Sequence, residues 1–217
     1  MPETLRDLIE LHVVVDEMFD QNCYVIHRRD TDSVLVVDPG LQHPQTIALL
    51  EDKGWQCDRI LLTHGHPDHV NGVPALRAAQ TCEAAIHPDD RVYLDHVRGF
   101  PGVPADLPDV VCDIDLIPGE VFSWQGLDIA VLHTPGHTPG SVCFHVAPDL
   151  FAGDTLFARS VGRTDLPGGS RDALMFSIAE TIYKLPPETV VHPGHGVSTT
   201  VAEEIAENPF TVHPRFR

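Results

Sequence analysis

The sequence predicts an α/β fold in which two β-sheets pack together and helices cover them on the outside. Short apolar runs rich in β-branched residues, separated by polar clusters, recur along the chain and indicate strands. The order of strands followed by helices occurs twice, which is typical of two packed sheets with outer helices. At 217 residues the chain is long enough to bury a core, and we expect one domain spanning residues 1–217.

The first half begins with predicted strands and continues as an alternation of helices and strands. The segment Pro44–Lys53 is predicted to be helical because it contains apolar anchors and ends at Gly54. Asn71 is expected to cap a second helix that runs to Gln80, and a shorter helix is expected over 89–97. The predicted strands of this half are 11–15, 23–27, 34–37 and 60–62.

The second half repeats this order after an irregular, proline-containing surface segment, 100–118. One helix is predicted from Arg171 to Lys184, and a last helix is predicted over Val201–Glu207. The predicted strands of this half are 121–124, 127–132, 142–146, 150–152 and 190–191.

The chain is strongly acidic, and this limits the partners that it can bind. Its 14 Lys and Arg residues against 32 Asp and Glu residues give a formal net charge of −18. Such a charge argues against nucleic acid and against an anionic membrane surface as partners. Metal ions bound in a site would add positive charge locally, so an anionic small-molecule substrate stays compatible with this balance.

The five cysteines are scattered and form no C-x-x-C pair. This usage is typical of buried thiols in a reducing compartment rather than of a disulfide framework. Segment 1–15 mixes acidic and apolar residues and shows no secretory signal, and no apolar stretch approaches the roughly 20 residues that span a bilayer. We therefore expect a cytoplasmic protein without a membrane partner. The oligomeric state stays open, with a homodimer as one option.

A histidine-rich segment directly follows the apolar run 59–62. Segment 63–69 has the sequence T-H-G-H-P-D-H, which supplies four potential ligands: His64, His66, Asp68 and His69. Imidazole nitrogens and carboxylate oxygens are the ligands that borderline divalent metals prefer. Four such groups at the end of a strand predict a metal site on a rigid support.

Four other segments share this design, in which a short apolar strand ends beside glycine or proline and a potential ligand. His137 lies in a T-P-G-H-T turn, Asp154 follows a strand in G-D-T, and His195 lies between two glycines. Glycine beside a ligand lets the backbone turn sharply and approach a metal without a Cβ clash. Asp38, in D-P-G, either orients a ligating imidazole or caps its own turn.

These ligands are too many for one tetrahedral ion, which takes three or four protein groups. Seven groups suit two ions that share a bridging carboxylate, with water or hydroxide as a second bridge. We expect two divalent ions, zinc in the first place, with iron or manganese as alternatives. The assignment by ion is His64, His66 and His137 on the first, Asp68, His69 and His195 on the second, and Asp154 bridging.

The set H-x-H-x-D-H, T-P-G-H-T, G-D and G-H-G, in this order over nearly the whole chain, resembles the metallo-β-lactamase superfamily. The resemblance implies an αββα sandwich of two mixed sheets flanked by helices, with metals at one edge. The stretch Gly153–Gly169 resembles the short bacterial glyoxalase-II-like hydrolases, also called hydroxyacylglutathione hydrolase-like proteins. That family hydrolyses glutathione thioesters such as S-lactoylglutathione. The best-known β-lactamases have Cys where this chain has Asp154, which argues against antibiotic hydrolysis as the main activity.

The same resemblance implies a mechanism and a glutathione conjugate as substrate. Hydroxide at the two-metal centre attacks the thioester carbonyl, and Asp68, a ligand, also orients that hydroxide. A thiolate, whose thiol pKa is roughly 8.5, leaves without a strong general acid. Arg163 either forks onto a glutathione carboxylate or pairs with Asp165 or Asp172. Because Asp165 stands where that family has an aromatic residue, thioester hydrolysis is favoured over strict glutathione specificity.

Three alternatives stay open. Glutathione persulfide dioxygenases share the fold and motifs and hold one iron, which here would fall to His64, His137 and Asp154. The sequence L-P-G-G at 166–169 favours the hydrolase over this reading. A lactonase or other ester hydrolase would use the same two-metal site. A metal-stabilised binding protein without turnover is disfavoured, because all seven ligands are present.

Overall fold

The computed structural model describes residues 8–41 and 43–211, and the chain divides into two compact units that meet in sequence at Leu116 and Ile117. Each unit contains one mixed six-stranded sheet together with helices, so the predicted α/β class with two mixed sheets is confirmed. Within the described ranges, every helix is too short or too polar to cross a membrane. The two ends of the predicted domain, 1–7 and 212–217, lie outside the described residues.

The sheet of the first unit combines antiparallel and parallel strands. The first three strands pair antiparallel, and the third to the sixth pair in parallel in chain order. Parallel pairing needs crossover connections, which short helices help to provide. The strands are β1 (Ile9–Val15), β2 (Asn22–Arg28), β3 (Ser33–Val37), β4 (Gln56–Leu61), β5 (Glu83–Ile86) and β6 (Ile114–Asp115). The helices are α1 (His43–Lys53), α2 (Pro67–Val70), α3 (Val73–Ala79) and α4 (Arg91–Leu94).

The carboxyl ends of β3 and β4 lie side by side, because Val37 pairs with Leu61. Asp38 follows the first of these strands, and the histidine-rich segment follows the second. Both strands bury apolar side chains in the core of this unit, so their ends are held rigidly. Ligand sites of open α/β sheets form at this kind of edge.

The strands of the second unit are β7 (Val121–Trp124), β8 (Leu127–His133), β9 (Val142–Val146), β10 (Asp149–Gly153), β11 (Leu156–Phe157), β12 (Ser160–Val161), β13 (Val190–Pro193) and β14 (Thr199–Thr200). Its six-stranded sheet has the order β14-β13-β10-β9-β8-β7, in which β10 and β13 pair in parallel and the other neighbours are antiparallel. Strands β11 and β12 form a separate hairpin. The helices are α5 (Arg171–Glu180) and α6 (Val201–Glu207).

The predicted helix from Asn71 to Gln80 differs from the structure. Pro67 starts a helical turn earlier, and Asn71 ends that turn instead of capping the next helix. The backbone N–H of Gly72 bonds the Pro39 carbonyl at 2.7 Å, and α3 begins only after it. Asp68 and His69 therefore lie on a short helix, which proline favours because it fits the first helical position.

Two other predicted helices are shorter than expected. Segment 89–97 forms a 3₁₀ turn, Pro88–Asp90, followed by the single turn of α4. The helix predicted to reach Lys184 stops at Thr181, whose φ of −115° departs from helical geometry, and a 3₁₀ turn follows. Strands β6, β11, β12 and β14 contain two residues each, too few to show an alternating pattern.

Candidate metal centre

Two of the candidate ligands in the first unit are oriented by one carboxylate. Oδ1 of Asp38 accepts a hydrogen bond from the Thr63 backbone N–H at 2.8 Å. Oδ2 accepts from the Thr63 hydroxyl at 2.6 Å and from Nδ1 of His69 at 2.8 Å. The Thr63 hydroxyl also lies 3.0 Å from Nδ1 of His64. Asp38, Thr63, His64 and His69 are all buried.

These hydrogen bonds determine where the ring protons lie. A carboxylate only accepts, so His69 carries its proton on Nδ1. The Thr63 hydroxyl donates to Asp38 and therefore accepts from Nδ1 of His64. In a neutral ring the lone pair then lies on Nε2, which is the donor that a divalent metal requires.

Asp38, His64 and His69 each offer a donor atom within 4.8 Å of the others, so these three could themselves form a metal site. Oδ2 of Asp38 already accepts two hydrogen bonds, so we do not expect it to bind a metal ion. Asp38 serves to orient the two imidazoles. Its backbone has a φ of 51°, the left-handed region that Asp tolerates better than most residues.

The loop that carries His66 is held by a residue that the sequence analysis did not single out. The buried carboxylate of Asp90 accepts a hydrogen bond from the Gly65 N–H at 2.8 Å. A Cβ on Gly65 would lie 2.7 Å from the Asp90 carbonyl oxygen, so glycine is needed for this approach. The His66 ring lies edge-on to Tyr93, with the ring centroids 5.6 Å apart. Asp90 is the second of two acidic residues after Pro88, and nothing in this pattern signals the contact in the sequence.

Asp68 follows His66 on α2, and its Oδ2 lies 3.8 Å from Nε2 of His69. The carboxylate is 15% exposed, whereas the His69 side chain is fully buried. Both groups are predicted from the sequence to bind the same ion.

In the second unit, Asp154 lies near both predicted histidine ligands of that unit. Its Oδ2 is 3.4 Å from Nε2 of His137 and 3.5 Å from Nε2 of His195. Two donors bound about 2.1 Å from one tetrahedral ion are separated by roughly 3.4 Å. Both distances therefore match pairs of donors that share an ion. Asp154, His137 and His195 therefore fit a metal site.

His137 is oriented by a backbone group. Its Nδ1 donates to the carbonyl oxygen of Arg163 at 2.8 Å, which again leaves Nε2 as the metal-binding donor. Gly162 makes this approach possible, because a Cβ there would lie 1.8 Å from the Asp154 carbonyl oxygen. Gly136, with a φ of 140°, lets the preceding turn pass the backbone of Leu174.

The turn that carries His195 is fastened on both sides. The N–H of Gly194 bonds the Gly153 carbonyl at 2.8 Å, which ties it to the turn before Asp154. The buried ring of His192 lies 2.9 Å from Oδ1 of Asp149 and 3.0 Å from the Ser198 hydroxyl. His192 therefore links the two ends of segment 192–198 and ties that segment to Asp149.

Arg163 forms a bidentate ion pair with Asp165. Nε and one terminal nitrogen of the guanidinium lie 2.7 and 2.8 Å from the two carboxylate oxygens. These hydrogen bonds lower the pKa of Asp165 to about 2. Of the two acidic partners that the sequence offered, the structure pairs Arg163 with Asp165 rather than Asp172.

Comparisons with known proteins agree with this architecture. A family model described as the metallo-beta-lactamase superfamily matches residues 17–195. The hydroxyacylglutathione hydrolase GloC of Haemophilus influenzae is 31% identical over 211 residues, which cover 93% of this chain and 98% of that protein.

Two solved structures are similar over nearly their whole length. BLEG-1 B3 metallo-beta-lactamase has a TM-score of 0.84 at 32% identity, with 93% of this chain and 99% of that chain covered. TTHA1623 in a di-iron-bound form has a TM-score of 0.81 at 35% identity, with 92% and 99% covered. The chain belongs to the metallo-β-lactamase superfamily, a class of metal-dependent hydrolases.

Proposed function

We propose that this protein hydrolyses thioesters of the S-lactoylglutathione class at a dinuclear metal centre. The observation that carries the proposal is the position of Asp154 Oδ2, at 3.4 and 3.5 Å from Nε2 of His137 and of His195. This is the arrangement expected of a carboxylate that bridges two ions. The likeness to GloC and the stretch Gly153–Gly169 support the substrate class.

The remaining ligands follow the assignment made from the sequence. His64 and His66 join His137 on one ion, and Asp68 and His69 join His195 on the other. Bound there, the ions would lower the pKa of a water toward neutrality and polarise the substrate carbonyl. Zinc is proposed first, and the di-iron form of TTHA1623 keeps iron as an alternative.

Asp68 is the residue that we assign to the attacking water. Its carboxylate is the partly exposed acid of the histidine-rich segment, so it can meet solvent while His69 stays buried. In this position it accepts a proton from the water and orients its oxygen toward the thioester carbon. The leaving thiolate is stable near neutral pH, since thiol pKa values are roughly 8.5, and needs no strong acid.

Arg163 is proposed to receive a carboxylate of the substrate. Its guanidinium forks onto Asp165 with the geometry that it would use for a glutathione carboxylate. Substrate binding would therefore replace the Asp165 carboxylate on the Arg163 guanidinium with a carboxylate of the substrate. The exposure of this pair, 60% and 68%, leaves room for the exchange.

A second candidate activity is β-lactam hydrolysis. It is supported by the likeness to BLEG-1, which covers 99% of that chain. Asp154 in place of Cys does not exclude it, because a bridging carboxylate can hold the same pair of ions.

The test uses the purified protein with its native metal. Metal identity and stoichiometry are measured, and S-lactoylglutathione hydrolysis is assayed beside cleavage of a cephalosporin, a lactone and oxygen uptake with glutathione persulfide. About two ions per chain with thioester cleavage as the fastest reaction would support the proposal. One iron per chain with oxygen uptake, or a cephalosporin cleaved faster than the thioester, would overturn it.

A further inference from the structure

Two thiols of the first unit contact each other away from the candidate ligands. Cys57 lies at the start of β4, and Cys82 immediately precedes β5. The thiol groups of Cys57 and Cys82 interact with each other. Both side chains belong to the same buried core and are 4% and 8% exposed.

Sheet register explains why these side chains meet. Strands β4 and β5 are parallel neighbours, with Arg59 opposite Glu83, so Cys82 falls opposite Asp58 and one residue from Cys57. A strand spacing of about 4.8 Å and an offset of one residue place the two Cα atoms roughly 6 Å apart. A disulfide requires about 4.4–6.8 Å.

An irregularity in β4 turns Cys57 toward its neighbour. In the pairing of β3 with β4, Val34 lies opposite Cys57 and the next residue lies opposite Arg59, so Asp58 is skipped. The extra residue reverses the alternation and points Cys57 into the same core as Ile60. The Cys57 N–H bonds Oε1 of Gln80 at 3.3 Å, which holds the chain before Cys82 against the start of β4.

The two thiols lie in different electrostatic surroundings. The interaction with Cys57 and the nearby Arg77 guanidinium lower the pKa of Cys82, whereas the interaction with Cys82 and burial raise the pKa of Cys57. Burial raises the pKa of Cys23 and Cys112 to about 12. Cys82 is therefore the thiol of this core best suited to act as a nucleophile.

We propose that Cys57 and Cys82 are a dithiol that hydrogen peroxide oxidises to an intramolecular disulfide. The Cys82 thiolate attacks one peroxide oxygen, which gives a sulfenic acid and hydroxide. The proton that Cys82 lost on ionisation neutralises this hydroxide. The Cys57 sulfur then attacks the Cys82 sulfur and expels the sulfenic oxygen as hydroxide, so that an S–S bond forms. The proton of Cys57 neutralises the departing hydroxide. In total, two thiols and one peroxide give one disulfide and two waters.

This modification site is independent of the proposed hydrolase activity. Cys57 lies at the start of β4 and His64 follows the end of that strand, seven residues later, which corresponds to roughly 20 Å of extended chain. Oxidation is therefore expected to leave the metal content unchanged. The disulfide would close the loop from 57 to 82, and such loops raise Tm by constraining the unfolded chain.

The test is a peptide map of the full-length, metal-loaded protein after peroxide treatment. Remaining thiols are alkylated and the protein is digested with trypsin without reductant. Cys57 then lies in peptide 54–59 and Cys82 in peptide 78–91. We expect these two peptides joined, two hydrogens lighter than their sum, and separated again by reductant.

Variants give the control. Cys82→Ser should abolish the joined peptide, and Cys112→Ala, in the same core, should leave it in place. Alkylation of both Cys57 and Cys82 after peroxide would overturn the proposal, as would a sulfinic acid on Cys82 or a bond from Cys82 to Cys112. The unmodified chain decides the outcome even where a variant fails to fold.

Discussion

His69 donates a hydrogen bond of 2.8 Å from its Nδ1 to Oδ2 of Asp38, although the two residues are 31 positions apart in the sequence. The parallel pairing of β3 and β4 brings them together, and both side chains are buried. The same carboxylate holds Thr63 and, through the Thr63 hydroxyl, His64. Asp38 therefore fixes the orientation of two candidate ligands that we assign to different ions.

Replacing Asp38 with Asn should weaken metal binding. Asn tolerates the left-handed backbone at this position, so the change tests the carboxylate rather than the turn. A side-chain amide has one oxygen and one NH2 group, so Asn cannot accept all three hydrogen bonds that the Asp38 carboxylate accepts. Its NH2 group would face either the Thr63 backbone N–H or the pair formed by the Thr63 hydroxyl and Nδ1 of His69, and either mismatch disturbs the groups that orient the two rings. We expect metal affinity to fall about 10–100-fold, measured by competition with a chelator.

Asp52→Asn is the matched control for this change, because Asp52 is exposed on α1. It should leave metal affinity within error of the wild type. Unchanged affinity in Asp38→Asn would show that the imidazoles are held without this carboxylate.

Replacing His195 with Ala should reduce the metal content from about two ions per chain toward one. His195 is assigned to the second ion, and its Nε2 lies 3.5 Å from the shared oxygen of Asp154. The first ion keeps its three histidines in this variant. Metal analysis after dialysis provides the measurement, and His96→Ala, at an exposed histidine, provides the control. A variant that retains full metal content and activity would exclude His195 as a ligand.

The fold class could be predicted from the sequence because apolar runs and turn residues repeat in order. Seven candidate ligand positions could be proposed for a similar reason, since all follow short apolar runs and all but His69 lie directly beside glycine or proline. Their role as ligands and their sharing between two ions stay predictions. The contact of Asp38 with His69 could not be foreseen, because it depends on the register of β3 against β4.

Contacts made by backbone groups also could not be predicted from the sequence. Arg163 drew attention through its guanidinium, whereas the structure uses its carbonyl oxygen to orient His137. Every residue has such a carbonyl, so no motif marks this one. Asp90 was missed for a related reason, because its partner is the N–H of Gly65, 25 positions away.

Replacing Asp165 with Asn should release the Arg163 guanidinium. The pKa of Asp165 is lowered to about 2 by its hydrogen bonds to Arg163, so the ion pair persists at neutral pH. Because the folded-state pKa is lowered, the stabilisation by this pair is present above the unfolded value near 3.9 and is lost as pH falls through about 2. Both groups are exposed, so Tm at neutral pH should change little.

The informative readout for this variant is substrate affinity. If Arg163 receives a substrate carboxylate, Asp165→Asn should lower KM for S-lactoylglutathione severalfold, and Arg163→Gln should raise it, with kcat nearly unchanged in both. Equal KM values in the wild type and both variants would assign Arg163 a structural role through its carbonyl alone.

Replacing Gly162 with Ala should damage the metal centre without touching any ligand side chain. A Cβ at this position would lie 1.8 Å from the Asp154 carbonyl oxygen, so the backbone that presents Arg163 must move. His137 then loses the acceptor for its Nδ1, and Asp154 is displaced at the same time. We expect a loss of about 1–3 kcal/mol in the free energy of unfolding and a clear loss of metal affinity.

Gly54→Ala is the control that separates lost stability from lost metal affinity. A Cβ at Gly54 contacts nothing, but the backbone there has a φ of 69°, and a side chain in this region costs about 1–2 kcal/mol. The control should lose stability and bind metal normally. Normal metal affinity in Gly162→Ala would mean that the turn adapts, and that the approach of Arg163 to His137 is not needed to hold the ligand.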